Sequence, residues 1–384
     1  MMVLLFWLAA VSLVHIYVGY EALLRLAVRL LRPERRPWSD YQPSLSLLLT
    51  VHDEEQQIIP RLEDILAQDY QKLEIVVASD GSKDRTDELV RSFAAAHLEC
   101  SIRLVALTSQ GGKSAAQNQA VPLLKGEVVV LTDAAARFAP GFLARMAAAY
   151  DDPSVGGVGG QVAFREDGSD IARGQGRYWR SEMTIRDCES CLGILAIASG
   201  QAMSFRRSLF RPLPEHVGDD CIIPLDVVAS GARMLHEPEA IAYDVNETAT
   251  GREIKVRARM TARNWQGTWR HPQLLSPLRH PGYALALWSH KLMRWLSPLF
   301  LALLGVTSLL LADRPFYGFV LTLGLAFAAL AAAGVWGRGR QGTFWRIAGL
   351  AWAFLVAQLG FLLGLWRVAR GQKIFAYNTG QHLM

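Results

Sequence analysis

The last third of the chain is nearly free of acid. Residues 251–384 carry only Glu253 and Asp313 against 16 Lys and Arg, whereas residues 1–250 hold 33 acids and 24 bases. The net charge of +5 hides that asymmetry. The basic stretch overlaps long apolar runs, so it points to an anionic membrane surface and away from a nucleic-acid partner. No basic segment with interleaved aromatics of an RNA-binding type is present. Cysteine is scarce: Cys100, Cys188, Cys191 and Cys221 form no secreted disulfide framework and fit a reducing compartment. Cys188 and Cys191 make one C-x-x-C, and the lack of a second pair argues against a zinc site. Met1–Leu24 lacks the basic start and A-x-A site of a signal peptide. The apolar runs lack the internal charge ladder of an ion pathway.

What is present is a chain that is 51% hydrophobic and 20% charged, at the apolar end for a purely soluble protein. Met1–Leu24 predicts an uncleaved membrane helix. Arg25, Arg29, Arg32, Arg35 and Arg36 follow it and, by the positive-inside rule, hold that end in the cytoplasm. Residues 43–250 read as one α/β domain. Strands are expected at Leu45–Val51, Leu73–Ala78, Ile102–Leu107 and Glu127–Leu131, with helices between them, which argues for a mostly parallel, doubly wound sheet. A strand at Gly156–Phe164, a helix at Tyr178–Leu192 and a strand at Ile194–Phe205 follow. Residues 251–291 predict a basic amphipathic segment lying at the headgroup boundary. Leu292–Ala312, Phe316–Trp336 and Phe344–Trp366 predict three spans within 292–368, leaving 369–384 as a tail. That count keeps the domain inside but places Arg367, Arg370 and Lys373 outside, against the charge rule.

The candidate site residues lie where strands end. Leu73-Glu74-Ile75-Val76-Val77-Ala78 breaks into Ser79-Asp80-Gly81-Ser82, so Asp80 sits at the carboxyl end of a buried strand, where open α/β sheets bind ligands. Thr50-Val51-His52-Asp53-Glu54-Glu55 ends the first strand in the same way. Those acids suit the hydroxyls and base edge of a nucleotide, or simply cap the following helix. Gln110-Gly111-Gly112-Lys113 is a glycine turn feeding a helix, a place for a diphosphate, though its spacing is not that of a P-loop. Asp133 follows the strand Val128–Leu131 and is the expected oxygen ligand of a divalent cation; its neighbours Ala134 and Ala135 supply no second carboxylate. Asp219 and Asp220 are adjacent acids before an apolar helix. Their repulsion raises the pKa of at least one unless a cation intervenes, which suits a general base, and an N-terminal helix cap is the plainer alternative.

In this order the residues resemble the family 2 glycosyltransferases with a GT-A fold, in the membrane-bound, cellulose-synthase-like branch. The resemblance covers about residues 45–250 and the flanking spans. It implies an inverting transfer from a nucleotide-sugar donor, most simply a UDP-sugar, to a lipid-linked or polysaccharide acceptor, on a domain held at the inner or plasma membrane. It implies Asp53, Glu54 and Asp80 as uridine-pocket acids, Lys113 as part of a G-K-x-x-A-x-N segment, and Asp133 as the first acid of a D-x-D motif binding Mg²⁺ or Mn²⁺. Asp220, with Asp219 beside it, resembles the catalytic base, and Gly200 the segment lining the acceptor side. Two departures stand out. Ala135 replaces the second D-x-D acid, which weakens the usual metal geometry and leaves an inactive export or scaffold subunit as an alternative. The Q-x-x-R-W motif of processive synthases is replaced by Arg259-Met260-Thr261-Ala262-Arg263-Asn264-Trp265. Arg259 and Arg263, one helical turn apart, face either the leaving diphosphate or lipid headgroups. Without that aromatic platform, single-sugar transfer is expected over chain polymerisation coupled to extrusion.

Overall fold

The computed structural model describes residues 1–33, 39–164, 170–244, 250–337, 340 and 342–374. Arg35, Arg36, Arg338 and most of the predicted tail fall outside them. The strands are β1 (Leu45–Val51), β2 (Leu73–Ser79), β3 (Ser101–Ala106), β4 (Val128–Thr132), β5 (Arg137–Phe138), β6 (Val155–Phe164), β7 (Met203–Arg206) and β8 (Arg233–Asp244). They form one sheet in the order β3-β2-β1-β4-β7-β6-β8-β5. The first half is parallel, as the alternation of strands and helices predicts. From β7 onward the sheet is mixed, with β7 antiparallel to both β4 and β6. The expectation of a mostly parallel sheet therefore holds for only half of it.

Period-two alternation divides the core into two layers. Leu45, Leu47 and Leu49 of β1 pack with Ile58, Leu62 and Ile65 of the Ile58–Leu66 helix and with Val90 and Phe93 of the Thr86–Ala96 helix. Leu48 faces the other layer with Val76, Val129 and Leu131. That second layer does not end at the domain. It continues through Ile222 and Leu225 of the Asp219–Ala229 helix to Leu292, Trp295 and Phe361 on the apolar helices. Trp295 is accordingly buried there. The core of the α/β domain and part of the helical bundle are one packed unit.

Among the described residues four helices are long and apolar enough to cross a membrane: Met2–Leu31, Pro281–Leu310, Pro315–Trp336 and Thr343–Ala369. They correspond to the one amino-terminal and three later runs of the sequence. The Pro281–Leu310 helix is longer than expected because residues 281–291, read as interfacial, are its first turns, including a widened π-helical stretch at Leu287–Leu292. The basic Thr250–Thr268 helix packs along the last of the four. An added Cβ at Gly364 would lie 2.6 Å from Thr261 Cβ, and Gly360 meets Arg257 in the same way. Gln266 donates to the Gln372 carbonyl at 2.9 Å, and the Lys373 charge acts on His216 of the α/β domain. The basic end of the last helix thus lies against the domain, where the charge rule puts it and the count of spans does not.

Two segments depart from expectation. Ile194–Ala198 is no strand: the Asp170–Cys191 helix ends, Gly193 takes a left-handed conformation (φ +70°), and Leu195–Ala198 are buried as a loop. Only Met203–Arg206 pairs as β7, after an isolated bridge between Ser199 and Ala202. The helix at Lys113 ends at Ala120, and Val121–Leu123 form a 3₁₀ turn around Pro122. All four cysteines are free.

Register places the site. Val51 of β1 pairs with Ser79 of β2, Leu49 of β1 with Thr132 of β4, and Ser79 with Ala106 of β3. The loops at 53–54, 80–81, 107–112 and 133 therefore leave the sheet on one rim, the carboxyl end that binds ligands in open α/β sheets. Gly81 makes that rim close: its φ is +66°, and an added Cβ would lie 2.6 Å from the Ser109 carbonyl carbon. A left-handed residue with a side chain costs roughly 1–2 kcal/mol before any clash. Gly81→Ala is predicted to lower the unfolding midpoint of the detergent-solubilised protein by about 3 °C or more; an unchanged midpoint would show that the loops have slack.

Candidate active site

Asp80 is buried, and its carboxylate is fully engaged by the next loop. Oδ1 accepts the Gly111 N–H at 2.7 Å and Oδ2 the Gly112 N–H at 2.8 Å. Gly112 has φ +90° and starts the Lys113–Ala120 helix. Asp80 therefore shapes the glycine turn and through it fixes where Lys113 begins. Asp53 works similarly on the neighbouring loop. It stands at φ +53°, Oδ1 accepts from the Lys83 N–H at 2.7 Å, and its own N–H donates to Ser82 Oγ. The Glu54 N–H is held by Thr86 Oγ1 at 2.8 Å, and burial followed by the nearby Asp133 charge pushes its carboxyl up. Glu54 is thus the acid of the three that faces Asp133 across the rim.

Lys113 is the centre of the arrangement. Its ammonium contacts Asp133 Oδ1 at 2.8 Å and Asp219 Oδ2 at 3.0 Å. Burial works against its charge, but the two carboxylates outweigh burial and hold the ammonium well above its ordinary value. Gln117, one turn further along the same helix, donates to Asp219 Oδ2 at 2.9 Å. Burial raises the Asp219 carboxyl, yet Lys113, the Gln117 bond and Arg263 together bring it below the usual range. Asp220 goes the other way. Burial and then the charge of Asp219 raise it, with Lys113, Arg263 and Lys291 opposing. The pair is split into one held carboxylate and one acid disposed to bind a proton, an arrangement seen where acid–base chemistry is tuned.

Gly200 completes the cluster from the opposite loop. A Cβ there would lie 3.5 Å from Lys113 Nζ, 3.7 Å from Asp220 Cβ and 3.8 Å from Asp219 Oδ1. Arg263, on the Thr250–Thr268 helix, donates to the Val217 carbonyl at 2.6 Å and lies in the field of both aspartates. The charge of its neighbour Arg259 acts on it. Trp265, at the place of the missing aromatic motif, is partly buried and packs at 6.2 Å against Trp295. The structure thus brings together Lys113, Asp133, Gly200, Asp219, Asp220 and Arg263, with Glu54 at the edge. Asp53 and Asp80 hold the loops behind them.

Three more residues contribute: Asn118 closes the G-K-x-x-A-x-N segment, whereas Gln117 and Asn264 were given no role in the sequence reading. Gln117 stands four residues after Lys113 and shares its helical face, a spacing that was available as a signal. The Asn118 side-chain amide clamps the backbone of Leu213, donating to its carbonyl at 2.8 Å and accepting its N–H at 2.7 Å. Asn264 Oδ1 would lie 2.6 Å from a Cβ on Gly218, so a side chain there would have to push the Asn264 and Asp220 side chains aside. Nothing in the local sequence pairs those last two positions.

For a divalent cation the fit is poor. Asp133 is half-exposed, with Oδ1 occupied by Lys113, and Ala135 stands where a second carboxylate is needed. Among the described residues no three His, Cys, Asp or Glu side chains come together as a ligand set. The described side chains do not by themselves make a metal site.

An open mixed sheet with its acids at the carboxyl rim, and a cation between them, has the architecture of the GT-A fold. Its similarity to known proteins agrees. A mannosyltransferase of Pyrobaculum calidifontis, solved with GDP-Man and Mn²⁺, superposes with a TM-score of 0.69 at 22% identity, covering 94% of this chain and 99% of that one. An N-acetylglucosaminyltransferase of Mesorhizobium japonicum is 27% identical over 262 residues, 64% of this chain and 61% of the relative. A poly-β-1,6-N-acetyl-D-glucosamine synthase of Staphylococcus epidermidis is 23% identical over 223 residues, 56% of this chain and 53% of that one. The chain thus spans about three fifths or less of these curated relatives. The pattern of glycosyl transferase family 2 matches residues 46–213.

A base with a raised pKa loses activity at a higher pH than an ordinary carboxylate. If Asp220 must be ionised, turnover falls as pH drops through its raised value. Asp219→Asn removes the neighbouring charge and is predicted to move that acid limb to lower pH. A limb left in place, or moved upward, in a pH series of the variant would separate the two groups.

Proposed function

We propose that this protein transfers N-acetylglucosamine from UDP-N-acetylglucosamine, with inversion, to a lipid-linked or glycan acceptor at the membrane. The observation that carries the reading is the split acid pair beside Lys113. Asp220 takes the proton of the acceptor hydroxyl, whose oxygen attacks the anomeric carbon as the bond to the diphosphate breaks. Lys113 and Arg263 offset the charge that collects on the departing diphosphate. Glu54 faces the cleft, while Asp53 and Asp80 shape the uridine side by holding its two loops. A Mg²⁺ or Mn²⁺ ion would find one protein carboxylate, Asp133, and would take its other ligands from diphosphate and water.

The choice of sugar rests on the relatives that carry N-acetylglucosamine in their names; the mannosyltransferase likeness is one of fold. The apolar helices and their basic flanks support a bacterial inner or plasma membrane with the α/β domain on the cytoplasmic side. Single transfer is the first reading because no aromatic platform replaces the missing motif. The poly-N-acetylglucosamine synthase likeness favours a processive synthase as the second, and product length on a radiolabelled donor separates the two.

The test uses the purified full chain with UDP-N-acetylglucosamine, GDP-mannose as control, and a membrane lipid extract as acceptor. UDP release is expected with the first donor only. Asp220→Asn should lower it at least a hundredfold, in keeping with loss of a general base, while UDP binding measured by calorimetry stays within about threefold. Undiminished release by that variant would remove Asp220 from the base role. No release from any donor would favour the inactive subunit that Ala135 suggests.

A further inference from the structure

A second buried charge cluster lies beside the site and takes no part in the chemistry described above. Glu182, on the Asp170–Cys191 helix, is 1% exposed. Its Oε1 accepts from Arg186 Nη2 at 3.0 Å and Lys291 Nζ at 2.9 Å, and its Oε2 from Arg294 Nη1 at 2.9 Å; His290 Nε2 lies 2.9 Å from Oε2. Burial alone would raise that carboxyl, but the surrounding His290, Lys291 and Arg186 hold it well below the usual range. Glu189, buried two turns further along, accepts from the Tyr20 hydroxyl at 2.8 Å and faces His290 Nδ1 at 3.0 Å.

Three of these partners come from one place. His290 and Lys291 lie in the π-helical stretch Leu287–Leu292, and Arg294 follows in the next turn. Consecutive residues of a regular helix point about 100° apart, yet 290 and 291 both reach Glu182. A widened turn of this kind frequently marks a functional position. The fourth partner looks toward the cleft. Arg186 Nη1 donates to Ser199 Oγ at 2.6 Å, and Ser199 precedes Gly200, which packs on Lys113 and the acid pair. The Lys291 charge also reaches Asp220. Buried ion clusters add little net stability compared with apolar packing of the same volume, so stability is a weak reason for this one.

We propose that Glu182 is a positioning residue for sugar transfer. Through Arg186 it holds the Ser199–Gly200 loop against the acid pair, and it does so only while the 287–292 turn of the apolar helix is docked. Seating of the membrane helix and reactive geometry are then one equilibrium. The claim rests on the proposed transfer reaction for its kinetic readout, but the loop contact is measurable without it.

The experiment compares the full chain in lipid nanodiscs with Arg186→Ala, Arg186→Lys and Ser199→Ala. Three quantities are read: UDP affinity by calorimetry, UDP release from UDP-N-acetylglucosamine, and amide hydrogen exchange of residues 195–206. Arg186→Ala should lower turnover at least tenfold, leave UDP affinity within twofold and speed exchange at 199–202 while β1 and β4 stay protected. Lys at 186 should restore part of the turnover, since it keeps one donor but not the fork that also grips Glu182. Ser199→Ala, which disturbs packing least, should lower turnover about threefold at unchanged UDP affinity. Wild-type exchange at 199–202 in Arg186→Ala would overturn the proposal, as would loss of protection spread evenly over the sheet. If the wild type releases no UDP, the reaction reading fails, and the exchange result alone decides the positioning claim.

Discussion

The Lys113 ammonium, held between Asp133 and Asp219, is the contact on which the site depends. Asp133 ends β4 of the parallel half of the sheet; Asp219 opens a helix after the mixed half. No backbone pairing joins those two ends directly. One cation brings them within reach of each other, and the Asp80 carboxylate fixes the turn from which that cation springs. Without Lys113, the half-exposed Asp133 and the buried Asp219 carboxylates would face one another with their charge uncompensated, and such clusters separate or take up protons. The same ammonium lowers Asp219 and leaves Asp220 as the member that binds a proton.

The lipid-facing part of the chain is not an accessory to this arrangement. One core layer runs from β2 and β4 through the Asp219–Ala229 helix to Trp295 and Phe361. The charge cluster around Glu182 ties the Pro281–Leu310 helix to the loop that carries Gly200. Arg263 comes from a basic helix packed along the last apolar helix. The Gly200 and Arg263 wall of the cleft is therefore positioned by the bundle and the Asp80 and Lys113 wall by the sheet; in the proposed reaction these are the acceptor and donor sides. A transferase whose acceptor arrives from the membrane gains from that division, because the two substrates are received by separately supported walls.

Much of this was legible in the residues. Leu45–Val51 and the run at 73–78 read as buried strands because they are continuous and apolar, and the acids that break them fall at their ends. The four apolar helices were visible from length alone. Strand β8 was not, because Arg233–Asp244 contains Pro238 amid charges. The structure absorbs that proline in a bulge, with the register against β6 jumping from Glu237 to Ile241. The run 194–198 misled in the opposite direction: its apolar residues are buried as a loop rather than paired. Asp80 was placed at the right rim, but its engagement by two glycine N–H groups depends on a turn that folds back from 31 residues away. The Glu182 cluster joins residues about 110 positions apart, and no local pattern announces it.

The central claim is that Lys113 and the acids around it form a single nucleotide-diphosphate pocket. Calorimetric titration of UDP into Lys113→Met tests it most directly. The account predicts a loss of affinity of at least tenfold in a protein that unfolds within a few degrees of the wild type. Wild-type affinity in that variant would mean that the diphosphate binds elsewhere and that the acids and cation gathered at this rim serve some other purpose.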